Sequence, residues 1–339
     1  MPFEKGLYPV MILLILEQYA DEENPISTNR IRDLMKQQYG HYPWRNTISS
    51  NIEKLRYIGV DIACVKDHEN RYYIRNRKLT FGEVTSLCDM VHSSFFISNK
   101  ESDALIKKLL GFLSLRQQKL YREQIHDENR KKDPNSKDFF ENYQLLKSAT
   151  NFHLSIEAVY HTKPTLLNNV VKFVRKKHII FPIRLAFNDG FGYLVGVIQG
   201  KEQEAHFRID RFDSIKFSDI PFPANLKKSS YELPSHTGPY MISGPNVAAT
   251  FLCEMDVLNA IIDRVGYDAR FLNHPQNPNE FYLIVNAPEE AILRMAQQYM
   301  DRVTLIEPEY LKEIYIERCK ASLQKTEEAK PFHMNSQTI

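Results

Sequence analysis

The chain has 339 residues, 43% of them hydrophobic and 25% charged, with 44 Lys and Arg against 42 Asp and Glu for a formal charge of +2. That length allows two or three domains, each with its own core, and the composition is that of an ordinary soluble globular protein. The near-neutral total gives no global sign of a nucleic-acid or membrane partner, so local charge has to decide. The four cysteines, Cys64, Cys88, Cys253 and Cys319, stand far apart and never form a C-x-x-C. That spacing argues against a disulfide scaffold or a zinc ribbon, and fits buried thiols in a reducing cytoplasm.

In chain order, the first apolar run is Val10 to Leu16, with a single Lys before it and Glu17 closing it. Seven residues are too few to span a membrane, and no small-residue cleavage site follows. The run reads as a buried first helix, about Leu7 to Tyr19. No other stretch approaches a membrane span, so no membrane partner is expected. Ser27 or Thr28 then caps "TNRIRDLMKQQYG", which stops at Gly40. In "WRNTISSNIEKLRYIG", Ile48, Ile52 and Leu55 make one apolar stripe, ended by Gly59. "VDIACVKDHENRYYIRN" reads as a hairpin.

Three short helices closed by a hairpin are the layout of a winged helix-turn-helix over residues 1–79, whose third helix would enter a major groove. Charge sharpens this reading: residues 1–39 carry −2 and residues 40–78 carry +4. The candidate DNA-binding residues are Arg45, Asn46, Thr47, Ser49, Ser50, Lys54 and Arg71, types that hydrogen-bond to bases or phosphates. A small helical domain with a solvated basic face is the plainer alternative.

Residues 80–146 read as a helical connector, a usual place for dimer contacts. Thr80 and Glu83 have capping-box spacing, and residues 98–125 carry helical periodicity with few breakers. The polar stretch 126–138 is expected to be an exposed loop. From 147 to 220 the period changes to two, which suggests a small β-barrel. "HIIFPIRLAF", "YLVGVIQ" and "AHFRIDRF" are its later strands, with "NDG" as a hairpin turn. A linker over 221–247 leads to β-α-β-β-α-β over 248–328, the ferredoxin-like order, with a final helix and a polar tail, 329–339. The fold class is thus multidomain α+β.

No catalytic constellation stands out. Gly190, Gly192 and Gly196 miss the dinucleotide spacing, and a strand follows them. Gly200-Lys201 lacks the phosphate-loop spacing. The His126-Asp127-Glu128 group reads as loop rather than as a metal site. No cofactor or metal is expected, and the chain is not read as an enzyme. What remains is the strand with His206 and Arg208 on one parity and Phe207 and Ile209 on the other, Arg211 at its end and Arg184 on the preceding run. An anionic ligand would suit these donors. Equally, Asp210 could pair with Arg208 or Arg211 and stabilise the rim.

The domain order resembles that of bacterial WYL-domain transcriptional regulators. "NTISSNIEKLRYIG" looks like the family's recognition-helix run, "GYLVGV" is similar to its naming motif, "FRIDRF" to F-R-L-D-R-I, and "MDRVTLIEPEYLKE" to a segment of its C-terminal extension, the WCX domain. Tyr193 and Leu194 match the motif, whereas Gly192 stands in place of its tryptophan. Ser49 and Ser50 replace residues often basic or aromatic, and Met295 stands where tryptophan is common. The resemblance implies a sequence-specific, homodimeric DNA-binding regulator acting on a double-stranded operator. It also implies an Sm-like barrel that senses a nucleotide or single-stranded nucleic-acid ligand through Tyr193, His206, Arg208 and Arg211. The expected role is a cytoplasmic repressor in a defence or nucleotide-stress setting. The alternative is an accessory single-strand-binding protein that modulates a defence effector.

Overall fold

The computed structural model describes residues 5–66, 68–124, 138–167, 170–188, 190–226, 242, 244–266 and 269–329. They form a mixed α+β protein with three antiparallel sheets, in a chain that divides into two compact units, Met1–Phe139 and Phe140–Ile339. Most of the polar stretch 126–138, with His126, Asp127 and Glu128, lies outside the described residues, as do most of the linker and the tail after Ala329. Among the described residues, no helix is long and apolar enough to cross a membrane.

The first unit opens with helices α1 (Tyr8–Tyr19), α2 (Thr28–Tyr39) and α3 (Arg45–Tyr57). Ile12, Ile15 and Leu16 of α1, Ile31 and Met35 of α2, and Ile48 and Ile52 of α3 meet in one core, fully removed from solvent. The Ser27 hydroxyl accepts the Arg30 N–H at the start of α2, and Gly40 ends that helix at φ 74°, a left-handed conformation glycine takes without penalty. The expected hairpin is present as β2 (Ile62–Lys66) and β3 (Asn70–Ile74). A further two-residue strand, β1 (Ile26–Ser27), pairs with β3 and completes the sheet in the order β1-β3-β2. Two residues are too short to show alternation, so the sequence carried no sign of it.

Helices α4 (Phe81–Ser93), α5 (Asn99–Leu110) and α6 (Leu115–Gln124) follow. The Thr80–Glu83 capping box at the start of α4 is present. The helical run expected across 98–125 is broken between α5 and α6, where Gly111 ends α5 and Ser114 caps α6. Its hydroxyl accepts the Gln117 N–H at the start of α6 and donates to the buried Asp21 carboxylate at 2.6 Å. Arg116 reaches the other Asp21 oxygen and Glu23. Nearby, the Arg77 guanidinium donates to the carbonyls of Leu16, Glu17 and Ala20 and to that of Phe112. The Leu16 carbonyl also accepts the Ala20 N–H, whereas those of Glu17 and Ala20 are acceptors that the helix end leaves open. Burial is the main cause that lowers the Arg77 pKa, opposed by Asp21 and Glu17.

In the second unit, α7 (Phe139–Phe152) precedes strands β4 (Ile156–Leu167), β5 (Val170–Asn188), β6 (Phe191–Ile198), β7 (Glu204–Arg208) and β8 (Phe212–Phe217), hydrogen-bonded in the order β7-β6-β5-β4-β8. β7 and β8 lie at opposite edges, yet only three residues join them. The sheet therefore has to curl until its edges meet. Tyr160 of β4 fills the interior, with the rings of Phe207 and Phe212 at 5.2 and 5.0 Å, and its hydroxyl accepts the backbone N–H of Arg208 at 3.0 Å. The reading of "AHFRIDRF" as one strand is corrected: Ile209–Arg211 is a 3-10 turn. Phe207 and Ile209 face the core as expected, but Asp210 turns inward and is 3% exposed.

The chain ends in β9 (Asn246–Glu254), α8 (Leu258–Val265), β10 (Arg270–Asn273), β11 (Glu280–Pro288), α9 (Glu289–Gln298), β12 (Val303–Glu307) and α10 (Glu309–Glu328), the element order read from the sequence. The strands lie in the order β10-β11-β9-β12, all antiparallel. Met295 is buried among Phe251, Leu283 and Leu305, filling the core where the family pattern has tryptophan. Cys88 and Cys253 are buried, with burial pushing the Cys253 thiol up to about 12, whereas Cys64 and Cys319 are half-buried.

Arg77→Ala should destabilise the first unit by about 2–3 kcal/mol, because several partly buried carbonyls lose a charged donor at once. Urea unfolding of the variant checks this, and a midpoint equal to wild type would remove Arg77 from the account.

Candidate functional site

α3 presents its face through a simple alternation of burial. Ile48, Asn51, Ile52 and Leu55 turn inward, which leaves Arg45, Asn46, Ser50, Glu53 and Lys54 exposed and Thr47 and Ser49 half-exposed. Asn51 keeps its place in the core by donating from its side-chain amide to the Thr47 carbonyl at 2.6 Å. Ser49 donates back to the Arg45 carbonyl, a local bond that leaves its hydroxyl oxygen outward. The Arg45 Nε is steered by Asn29 of α2 at 2.9 Å, which orients the guanidinium without neutralising it. Lys54 has no ion pair among the described residues. By contrast, Arg56 donates twice to the Ile62 carbonyl and once to Glu53, so it anchors the start of β2.

Arg71 does not join that face by register. It lies on β3 opposite Ser27 and lines a cleft of about 360 Å³ with Arg30, Glu69 and Arg116. Sequence reasoning also missed the aromatic residues that flank α3. Trp44 is 81% exposed and Tyr57 92%, and Tyr42 carries the Arg32 guanidinium 4.0 Å above its ring. The letters "HYPW" before the helix were the available signal.

On the five-stranded sheet, Tyr193 of β6 and Arg208 of β7 are register partners, and His206 lies two residues along β7, opposite Val195. These three expected residues therefore share one face, with Arg184 of β5 in the same row as Val195 and His206. Arg184 pairs with Glu204 at 3.7 Å. Arg208 is committed to the structure more than to a ligand. Its guanidinium stacks on Phe191 at 3.7 Å and forks onto both oxygens of Asp210, whose side chain is fully buried. The rim-pairing reading of Asp210 is the one the geometry shows.

Arg211 stands apart from that row. Its guanidinium lies over the Phe173 ring at 5.8 Å, and its buried Nε has no hydrogen-bond partner. His161, which the sequence reading passed over, stacks on the same ring at 5.9 Å and 16°. Its buried Nε2 is likewise without a hydrogen bond, and Asp213 is 3.8 Å away. Tyr160 points inward, so the period of two puts His161 outward, a signal present in "AVYH". Phe173, His161 and Arg211 form an aromatic and cationic cluster beside Asp213, with two buried nitrogens not engaged in hydrogen bonds. Gly192 stands where an aromatic would collide: a Cβ there would lie 3.1 Å from Phe187 and 3.2 Å from Ile209. The Phe187 ring thus occupies the space that a tryptophan would need.

No protein-family model matches the chain, and no curated protein matches it. Among solved structures, it matches proteasome accessory factor B/C (PafBC) of Arthrobacter aurescens at 16% identity and a TM-score of 0.27, over 98% of this chain and 49% of that one. It also matches a CRISPR Cas-related protein at 14% identity and a TM-score of 0.33, over 94% of this chain and 84% of that one. The chain thus spans about half the length of the PafBC chain. With TM-scores this low, the likeness decides nothing about the chain.

Asp210→Ala should cost about 3–5 kcal/mol, since it leaves Arg208 largely buried without its partner. Chemical denaturation of the variant measures this. Stability within about 0.5 kcal/mol of wild type would show that the fork does not hold the barrel rim.

Proposed function

We propose that the chain is a sequence-specific DNA-binding transcription regulator of the repressor kind. The first unit is read as a winged helix-turn-helix, the five-stranded sheet as an Sm-like barrel, and the β10-β11-β9-β12 sheet with its helices as a ferredoxin-like domain. One observation carries the reading: α3 buries its apolar stripe completely and leaves Arg45, Asn46, Ser50, Glu53 and Lys54 in solvent around its other half. A recognition helix needs that division, with hydrogen-bonding side chains free for base edges and cations free for phosphates. The resemblance to WYL-domain regulators agrees with it.

The barrel is the sensor in this reading, with a nucleotide or single-stranded nucleic acid as ligand. Arg211, His161 and Phe173 support that role better than Arg208, whose guanidinium already holds Asp210. Ligand binding changes operator affinity only if the ligand binds the two states unequally.

Selection of duplexes from a random-sequence library by the purified protein tests the reading. Enrichment of one inverted repeat is expected, as a homodimer requires. Retention of single strands with no duplex preference would overturn it in favour of the accessory single-strand binder. On the enriched duplex, Arg45→Ala/Lys54→Ala should reduce the slope of log K against log salt by about 2, one unit for each lost phosphate contact. An unchanged slope would place the interface elsewhere. Arg211→Ala should keep operator affinity and abolish its response to added oligonucleotide. Loss of operator binding itself would remove the sensor role.

A further inference from the structure

Trp44 breaks two local rules at one position. It is the only tryptophan in the chain, and 81% of its surface is exposed. Indole rings bury the largest apolar areas of any side chain, so one left in water is the informative exception. It also occupies the N-cap of α3, in extended backbone at φ −65° and ψ 153°, with no side-chain cap hydrogen bond. Ser, Thr, Asp or Asn would satisfy an open N–H there and stabilise the helix by about tenfold in its folding equilibrium. A residue that gives up both local gains is explained by a partner.

The surroundings say what that partner is. Trp44 immediately precedes Arg45 and Asn46, at the N-terminal end of α3, the positive end of the helix dipole. Beside it, Tyr42 lies under the Arg32 guanidinium at 4.0 Å and near the Lys36 ammonium at 5.7 Å, and Arg32 is tied to the Pro43 carbonyl at 2.7 Å. Tyr42 carries Arg32 and Lys36 over its ring, and Arg45 follows Trp44 in sequence, so two exposed aromatic rings two residues apart stand among three cations, a mixture that fits aromatic bases within an anionic backbone.

We infer that Trp44 is a base-contacting residue: its indole wedges against or between stacked bases where α3 meets DNA, with the neighbouring cations on the flanking phosphates. This rests on the DNA-binding reading above. Wedging is cheapest at flexible pyrimidine–purine steps, so the preferred site should carry TA or CA/TG at that point in each half.

The test uses the duplex pool enriched by the wild-type protein and the fluorescence of the full-length chain excited at the red edge of its absorption, where Trp44 absorbs and the 18 tyrosines do not. Binding, followed independently by the anisotropy of a labelled duplex, should quench and shift the indole emission with the same midpoint. Trp44→Ala should weaken binding to the enriched duplex by about tenfold, Trp44→Phe should restore part of it, and both should bind a mixed-sequence duplex at low salt as wild type does. A purely structural role would instead lower the thermal midpoint and weaken both duplexes equally. Duplex binding with unchanged emission overturns the inference and leaves the DNA-binding reading intact. No duplex enrichment overturns both. An emission shift that follows protein concentration without DNA would assign Trp44 to contact between copies of the chain, against the inference.

Discussion

The five-stranded sheet holds a buried carboxylate at the turn that joins its two edges. Three residues connect two strands at opposite edges of a five-stranded sheet, so closure is imposed by connectivity, and the turn that achieves it carries Asp210 inward. A carboxylate removed from water needs a charged partner and filled hydrogen bonds. Arg208 supplies both with one planar fork, and its own backbone N–H is taken by the Tyr160 hydroxyl. The strand that looked like a row of donors for a ligand is therefore partly the clasp of the barrel. Arg211, one turn further on, is left to face Phe173 and His161.

The same division runs through the first unit. Arg77 binds the carbonyls at the end of α1, Arg56 holds the start of β2, and Arg116 answers Asp21 and Glu23. These three arginines belong to the fold. Arg45 and Lys54 remain in solvent on the α3 face, beside an exposed tryptophan. A count of basic residues over 40–78 treats Arg56 and Arg77 like Arg45 and Lys54, although the first two already hold backbone carbonyls. Function here follows which cations the backbone has already claimed.

The elements with a strong period were legible in the sequence. α1 to α3, the β2–β3 hairpin, the capping box at Thr80 and the β-α-β-β-α-β order at the C-terminus came from apolar spacing and cap residues acting locally. What escaped was decided by contacts distant in sequence. β1 exists because β3 is there to pair with it. The break between α5 and α6, by contrast, carried local signals that went unread, Gly111 at the end of α5 and the S-x-x-Q spacing of Ser114 and Gln117. Parity placed Phe207 and Ile209 correctly, but it put Asp210 outside, since alternation carries no information about a buried ion pair. On α3 the polar face was readable from Ile48, Ile52 and Leu55. Trp44 was passed over because an aromatic residue at a helix start reads as core, and its exposure is a tertiary fact.

The central claim is that α3 and its leading end form the nucleic-acid surface, with Arg208 and Asp210 engaged with each other in the five-stranded sheet. Amide hydrogen exchange of the full-length chain, with and without the enriched duplex, tests it most directly. The account predicts slowed exchange across residues 44–54 and the β2–β3 hairpin, with 204–212 unchanged. Slowed exchange confined to the barrel strands, with α3 exchanging as in the free protein, would contradict it.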